Sequence, residues 1–151
     1  MKIKNDNNLD FALILAKHGV SKTKFRIHLL NLFYDKESLT VKEVMNKSSN
    51  LINKVTIYRA LESFEEKGLI HKVPSSNNII RYSLCNADEC SASSHKHNHG
   101  HFICNNCNQT FCLENYKSPD IKPIEGFYIN SLNLILEGYC KDCHLNYFIK
   151  C

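Results

Sequence analysis

The chain has 151 residues, of which 43% are hydrophobic and 23% are charged, with a formal net charge of +4 at pH 7. This composition is close to that of globular proteins and excludes an intrinsically disordered chain. No run of about 18 apolar residues occurs and the first residues lack a signal-like apolar run, so we expect a cytoplasmic protein with no membrane partner.

Charge and cysteine are unevenly divided along the chain. Basic residues outnumber acidic ones by 14 to 8 through Leu84, whereas 5 basic and 7 acidic residues and all eight cysteines lie from Cys85 onward. Cytosolic thiols are kept reduced, which favours metal ligation over disulfides. A secreted, disulfide-bonded protein is the alternative. We predict two domains with different functions, residues 1–84 and 85–151.

The first half opens with patterns typical of short amphipathic helices. Apolar residues at helical spacing predict a helix over Leu9–Lys17 and a second over Lys22–Tyr34, with Ser21 as the N-cap of the second. Thr40 is expected to cap a short third helix. These helices should enclose a common core.

A fourth helix and a hairpin complete the first half. The helix is predicted over Asn53–Lys67, with Gly68 after its last turn. Two β-like runs, Leu69–Val73 and Ile79–Leu84, flank a turn-forming stretch and should pair as a hairpin. Helices followed by such a hairpin predict a winged helix.

The outer face of the fourth helix is the candidate DNA-reading surface. The second helix of a helix-turn-helix enters the major groove, where its N-terminal residues meet base edges. Arg59 is our first candidate for base readout, and basic residues elsewhere, among them Lys72 and Arg81, are candidate phosphate contacts. The alternative is that the helix is only a packed, solvated element. The candidate DNA-binding residues are Lys54, Val55, Thr56, Tyr58 and Arg59.

The second half has the pattern of a small sheet with short connections. Pro119, Pro123 and Gly126 interrupt it, so any helix there should be brief. The predicted strands are Phe102–Cys104, Thr110–Leu113, Phe127–Ile129 and Leu132–Leu136.

Two Cys-x-x-Cys pairs predict a structural zinc site. Each pair presents two thiols to one ion, and four protein ligands close the coordination shell. A redox dithiol is the rival interpretation. The predicted ligands of this structural Zn²⁺ are Cys104, Cys107, Cys140 and Cys143.

A second metal site is predicted at the domain junction. His99 and His101 alternate before a strand and should face the same way, while His71 begins the wing and Cys85 ends it. A mixed nitrogen and sulfur set favours Zn²⁺ over Fe²⁺. The predicted regulatory ligands are therefore His71, Cys85, His99 and His101. Further candidates are Cys112, His97, Cys90 and His95.

These motifs, in this order, resemble the ferric uptake regulator family of metal-dependent bacterial repressors. The resemblance implies an α+β fold in which an N-terminal winged helix-turn-helix precedes a small zinc-binding α/β dimerisation domain. It also implies a homodimer on a palindromic double-stranded DNA operator, with the junctional metal setting the angle between the DNA-binding heads. The motifs that carry it are Thr23–Arg26, Val55–Leu61, Gly68–His71, His99–Cys107 and Gly138–Cys143.

Within the family the chain looks most like the zinc uptake regulators. The resemblance rests on Cys85 at the end of the wing, on His71 fourteen positions earlier, and on the absence of a histidine from residues 37–41. We therefore predict a non-enzymatic, zinc-dependent repressor of metal-uptake genes. The alternatives are an iron- or peroxide-responsive repressor of the same family, a zinc-dependent hydrolase and a zinc-ribbon adaptor.

Overall fold

A computed structural model describes residues 10–48, 52–85 and 99–148. Six strands and five helices lie within these ranges, and the strands form two separate three-stranded sheets. In chain order the elements are α1 (Phe11–Lys17), α2 (Lys24–Asp35), β1 (Leu39–Thr40), α3 (Val41–Lys47), α4 (Lys54–Glu66), β2 (Ile70–Val73), β3 (Arg81–Leu84), β4 (His99–Cys104), β5 (Thr110–Lys117), β6 (Ile135–Gly138) and α5 (Lys141–Phe148).

The first sheet and the first four helices form the predicted winged helix. Strands β2 and β3 pair antiparallel, with Ile70 opposite Leu84, and β1 adds to the free side of β3. Helix α4 supplies one side of the core because its apolar residues recur every three or four positions. The fully or nearly buried members of this core include Leu15, Leu29, Leu30, Phe33, Val44, Ile57, Leu61, Phe64 and Ile70.

Polar caps fix where the helices of the winged helix begin. Thr40 accepts a hydrogen bond from Glu43 N at 3.1 Å, and the Glu43 carboxylate accepts one from Thr40 N at 2.6 Å, which makes a complete capping box for α3. Asn53 caps α4 by accepting from Thr56 N at 2.8 Å. The predicted N-cap of the third helix is confirmed, and the fourth helix is confirmed to within a residue at each end.

The first two helices begin later than the sequence patterns predicted. Ser21 is not the N-cap of α2, because Thr23 holds that position and accepts from Arg26 N at 3.2 Å. Ser21 instead accepts hydrogen bonds from the Arg26 guanidinium. Helix α1 is capped by Asp10, and Leu9 lies outside the described residues.

The second sheet has the order β5-β4-β6. Strands β4 and β5 pair antiparallel, with His101 opposite Cys112 and Ile103 opposite Thr110, whereas β4 and β6 run parallel. The first of these strands begins at His99, three residues earlier than predicted, because the histidine segment itself joins the sheet. Both histidines therefore lie in β4, whose pairing with β5 shifts in register between His99 and Gly100.

Two further predictions for the second half need correction. Phe127–Ile129 is not a strand, since a turn at Gly126, whose φ is +79°, directs these residues to the surface. The last strand is Ile135–Gly138 rather than Leu132–Leu136, because pairing with β4 extends to Gly138. Helix α5 was not predicted. No helix in the described part of the chain is both long and apolar enough to cross a membrane.

Candidate functional site

The candidate DNA-reading residues lie on the exposed face of α4, opposite the core. Ile57 and Leu61 are only 2% and 1% exposed, whereas Val55 is 57% exposed and Tyr58 is 46% exposed. The Lys54 ammonium lies 5.7 Å from the centre of the Tyr58 ring. All five predicted residues, Lys54, Val55, Thr56, Tyr58 and Arg59, are exposed together at the start of the helix.

The four cysteines of the two Cys-x-x-Cys pairs come together at one end of the second sheet. Cys104 ends β4 and Cys107 lies in the turn after it, while Cys140 precedes α5 and Cys143 lies in its first turn. Their four sulfur atoms lie within 4.8 Å of one another. Cys107 Sγ and Cys140 Sγ are 3.9 Å apart.

Backbone hydrogen bonds shape the turn that carries the first pair. Asn108 N donates to Cys104 O at 2.9 Å and Cys104 N donates to Gln109 O at 3.0 Å. Asn108 adopts a φ of +55°, a left-handed conformation that asparagine tolerates better than most residues. This closed turn holds Cys104 and Cys107 on the same side.

Nearby N–H groups donate hydrogen bonds to two sulfur atoms of this cluster. Cys140 N donates to Cys104 Sγ at 3.3 Å, and Asn106 Nδ2 donates to Cys143 Sγ at 3.2 Å. Burial opposes ionisation of Cys104, but backbone hydrogen bonds from Cys107, Cys140 and Asn106 outweigh it and lower the pKa of this thiol to about 6. Burial and hydrogen bonds with the other thiols raise the pKa of Cys107 to about 12. A bound cation would favour thiolates at all four positions.

A second cluster lies between the two sheets. It brings together His71 from β2, His99 and His101 from β4, and Cys112 from β5, with one ligand atom of each within 4.8 Å of the others. The His99 and His101 rings are 4.9 Å apart between centroids, and His71 lies 5.5 Å from His99. The three histidines are 5% to 9% exposed. The sequence alone could not distinguish this histidine segment from a solvated loop, but its two strand histidines are buried together with His71 beside a thiol.

The two thiols near His71 lie at different nitrogens of its ring. Cys85 Sγ is 3.4 Å from His71 Nδ1, whereas Cys112 Sγ is 3.5 Å from His71 Nε2. An ion is bound through one imidazole nitrogen, so the choice of nitrogen decides which thiol lies beside it. The compact cluster contains Cys112, which the sequence pattern offered only as a further candidate, and Cys85 lies next to it.

Other predicted residues have different positions or lie outside the described part of the chain. Arg81 is only 6% exposed and is paired with Glu43 at 3.2 Å, so it is not a surface phosphate contact. Lys72 is exposed but forms an ion pair with Glu65 at 2.9 Å. Cys90, His95 and His97 lie outside the described residues.

The ferric uptake regulator family model matches residues 17–136, which include helix α4, the wing, strands β4 and β5 and the first two residues of β6. The chain belongs to the ferric uptake regulator family. Its members are transcription regulators of metal uptake, and the ligands of this family are therefore DNA and metal ions. The exposed face of α4 and the two donor clusters are the candidate surfaces for these ligands in this chain.

Known relatives share both the length and the fold of the chain. The ferric uptake regulation protein of Bordetella parapertussis is 26% identical over 141 residues, covering 85% of this chain and 93% of that protein. A solved zinc uptake regulator, complexed with zinc and DNA, superposes with a TM-score of 0.61 at 21% identity over 92% of both chains. A zinc-bound manganese uptake regulator gives 0.57 at 22% identity over 85% of this chain and 96% of its own. Regulators of different metals therefore share this fold.

Proposed function

We propose that this family member is a zinc-responsive repressor that binds its operator when the His71 cluster holds Zn²⁺. The observation that carries the proposal is the cluster of three buried imidazoles and a half-buried thiol between the two sheets. Its donors come from the wing strand β2 and from strands β4 and β5. A ligand shared by these elements would bias their relative orientation.

The donor types fit Zn²⁺ better than the other metals of the family. Zinc prefers four ligands from imidazole and thiolate, whereas the iron sites of non-haem proteins are richer in nitrogen and oxygen donors. With Cys112 beside His71 Nε2 and Cys85 beside His71 Nδ1, sulfur is available on both sides of the ring. Fe²⁺ is therefore the less favoured ion.

The four-cysteine cluster supports a second, structural Zn²⁺. Four thiols within 4.8 Å leave no protein ligand to be supplied from elsewhere. They connect the β4–β5 turn to the start of α5, which are otherwise distant in sequence. An ion there would stabilise the second sheet permanently.

Surface features support DNA binding by a homodimer. The exposed start of α4 combines basic, methyl and hydroxyl groups that suit phosphate and base contacts. In the second half many large apolar side chains are exposed, which is typical of an interface. These include Tyr116, Ile121, Ile124, Phe127, Tyr128, Ile129, Leu132, Ile135, Leu136, Tyr139 and Leu145. A two-fold dimer would present two α4 helices to a palindromic operator.

The decisive experiment measures operator affinity against buffered free Zn²⁺. The DNA is a fragment selected from a random-sequence library with the zinc-loaded protein. Wild type is compared with His71→Ala, with His28→Ala as the control, since His28 lies on α2 and bonds Lys47 O at 3.3 Å. We expect zinc to tighten binding for wild type and the control but not for His71→Ala. Equal affinity of the apo and zinc-loaded wild type would contradict the proposal.

Three related measurements distinguish the rival functions. An anaerobic Fe²⁺ titration that tightened binding at lower free metal than Zn²⁺ would support an iron-responsive or peroxide-responsive regulator. A zinc-ribbon adaptor would select no DNA from the library. A zinc-dependent hydrolase needs an open coordination position and would turn over ester or peptide substrates.

A further inference from the structure

The turn between β4 and β5 contacts the winged helix through polar groups. Thr110 N donates to Ser38 Oγ at 3.1 Å, and Thr110 Oγ1 donates to Pro74 O at 2.7 Å. Ser76 Oγ donates to Asn108 Oδ1 at 3.2 Å. These contacts are separate from the histidine cluster, and they connect the second sheet to β1 and the wing.

A buried arginine lies at the centre of this contact. Arg81, on β3, is 6% exposed, and its guanidinium donates to both Ser38 Oγ and Ser38 O at 3.0 Å. On the other side lies the Gln109 amide. Oriented with its oxygen toward Arg81, which satisfies both of its polar atoms, it accepts from Arg81 Nη2 at 3.0 Å and donates to Ser38 O at 3.0 Å. A buried charge requires such acceptors. Here they come from both halves of the chain.

The same turn carries the four-cysteine cluster. Gln109 O accepts from Cys104 N at 3.0 Å, so the residue that contacts Arg81 also closes the turn holding Cys104 and Cys107. Its neighbour Thr110 lies two positions before Cys112 on β5, and alternation along a strand puts both on one face. The turn therefore carries part of the four-cysteine cluster, leads into the strand that carries Cys112, and contacts the winged helix.

We propose that Ser38, Arg81 and Gln109 form a polar latch through which the four-cysteine turn holds the winged helix in its DNA-binding orientation. Gln109 and Ser38 are then positioning residues for operator binding, although neither belongs to a donor cluster or to the exposed face of α4. The inference rests on the proposed function, because it assumes that orientation controls operator affinity. It adds that the four-cysteine site has a part in that control besides stabilising its sheet.

The chemistry of the latch suits a contact with two discrete states. In the closed latch, the Arg81 guanidinium donates to acceptors from both halves of the chain. In the open latch, water would replace the Gln109 acceptor, which comes from the turn. The net free energy difference between protein and water partners is small, so metal binding elsewhere can shift the balance. Distortion of the β4–β5 turn would favour the open state, because the turn positions Gln109.

The test compares Gln109→Ala, Ser38→Ala and the double variant in the full chain. Ser75→Ala is the matched control, because Ser75 Oγ bonds Ile79 O within the wing at 2.6 Å. Two quantities are measured at saturating zinc: hydrogen exchange of the Thr110 amide, which donates to Ser38, and operator affinity. Zinc content and Co²⁺ spectra report whether both metal sites remain intact.

We expect each single variant to exchange the Thr110 amide about 10-fold faster and to bind the operator about 5- to 10-fold more weakly, with both metals retained. The double variant should be no weaker than either single one, since both break the same latch. Ser75→Ala should match wild type. Gln109 is only half-buried, so its variant decides the matter even if Ser38→Ala unfolds.

Three results would overturn the latch: unchanged Thr110 exchange in Gln109→Ala, faster exchange with wild-type operator affinity, or losses that add in the double variant. Failure of the proposed function is distinguishable, because wild type would then bind DNA without regard to zinc. In that case the exchange measurement still tests whether the latch joins the two halves.

Discussion

Cys112 Sγ lies 3.5 Å from His71 Nε2, so a thiol of the second sheet directly faces an imidazole of the wing. These two residues are 41 positions apart in the chain. Their proximity makes Cys112 the thiol of the compact cluster, whereas Cys85 approaches His71 from the Nδ1 side at 3.4 Å. Which thiol binds the regulatory ion follows from which nitrogen His71 offers.

Cobalt substitution should separate the two thiols. We expect Cys112→Ser to lose one thiolate-to-Co²⁺ charge-transfer band at the regulatory site and to weaken its metal affinity by at least about 10-fold. This is the size of effect seen when groups that hold or orient metal ligands are removed. Cys85→Ser should keep that band, because Cys85 would then orient His71 rather than bind the ion. The reverse pattern would assign the ion to Cys85, the thiol that the sequence predicted, with His71 binding through Nδ1.

The four-cysteine site should depend on a neighbouring amide. Asn106 Nδ2 donates to Cys143 Sγ at 3.2 Å and would stabilise a thiolate ligand. We expect Asn106→Ala to lower zinc affinity at this site by about 10- to 100-fold, the range seen for residues that orient metal ligands. Competition with a chromophoric chelator measures this affinity.

Asn105→Ala is the control for that measurement. Asn105 is exposed, and its backbone N, not its side chain, donates to Gly138 O at 2.7 Å. It should retain wild-type zinc affinity. An equal loss in both variants would mean that the turn, rather than the Asn106 amide, was disturbed.

Local signals predicted much of the winged helix. Thr40 and Glu43 form a capping box that can be read from their spacing. Asn53 is a simple N-cap at the start of α4, and it too is a local signal. Leu61 and Phe64 lie in the core, as their helical spacing indicates. Such features depend on residues a few positions apart, which is why sequence patterns contain them.

Long-range contacts were beyond those patterns. Arg81 looked like any surface arginine, since its partners Ser38 and Gln109 are remote in sequence. Cys112 joined the histidine cluster through strand pairing with His101, a register that no local signal fixes. Apolar spacing also suggested a strand at 127–129, where a turn and surface exposure prevail.

The ion pair of Glu43 should make stability depend on pH. Burial alone would raise the pKa of this carboxyl, but hydrogen bonds from Thr40 and the charge of Arg81 outweigh it and hold the pKa below its ordinary value of 4.5. A depressed pKa stabilises the folded state above pH 4.5, and this contribution is lost as the pH falls through the folded-state value.

We therefore expect Glu43→Gln to be less stable than wild type at pH 7 by about 1 kcal/mol, a small figure because the carboxylate is partly exposed. The difference should shrink as the pH falls below 4.5. Urea unfolding of both proteins at each pH measures it, and subtraction removes effects common to both, including loss of metal. A difference independent of pH would show that the charge of Glu43 contributes nothing.

Base readout and phosphate contact on α4 should be separable by mutation. If Arg59 reads a base, Arg59→Ala should cost about 1–3 kcal/mol of operator binding and relax preference at one operator position. Lys54→Ala should instead weaken all sequences about equally and reduce the slope of log affinity against log salt by about 1. Lys67→Ala removes the same charge from the far, exposed end of the helix and should leave both properties unchanged.

Binding to the selected operator and to single-base variants, at several salt concentrations, distinguishes these outcomes. A uniform loss in Arg59→Ala would reassign Arg59 to the phosphates, and equal losses in all three variants would mean that only net charge matters.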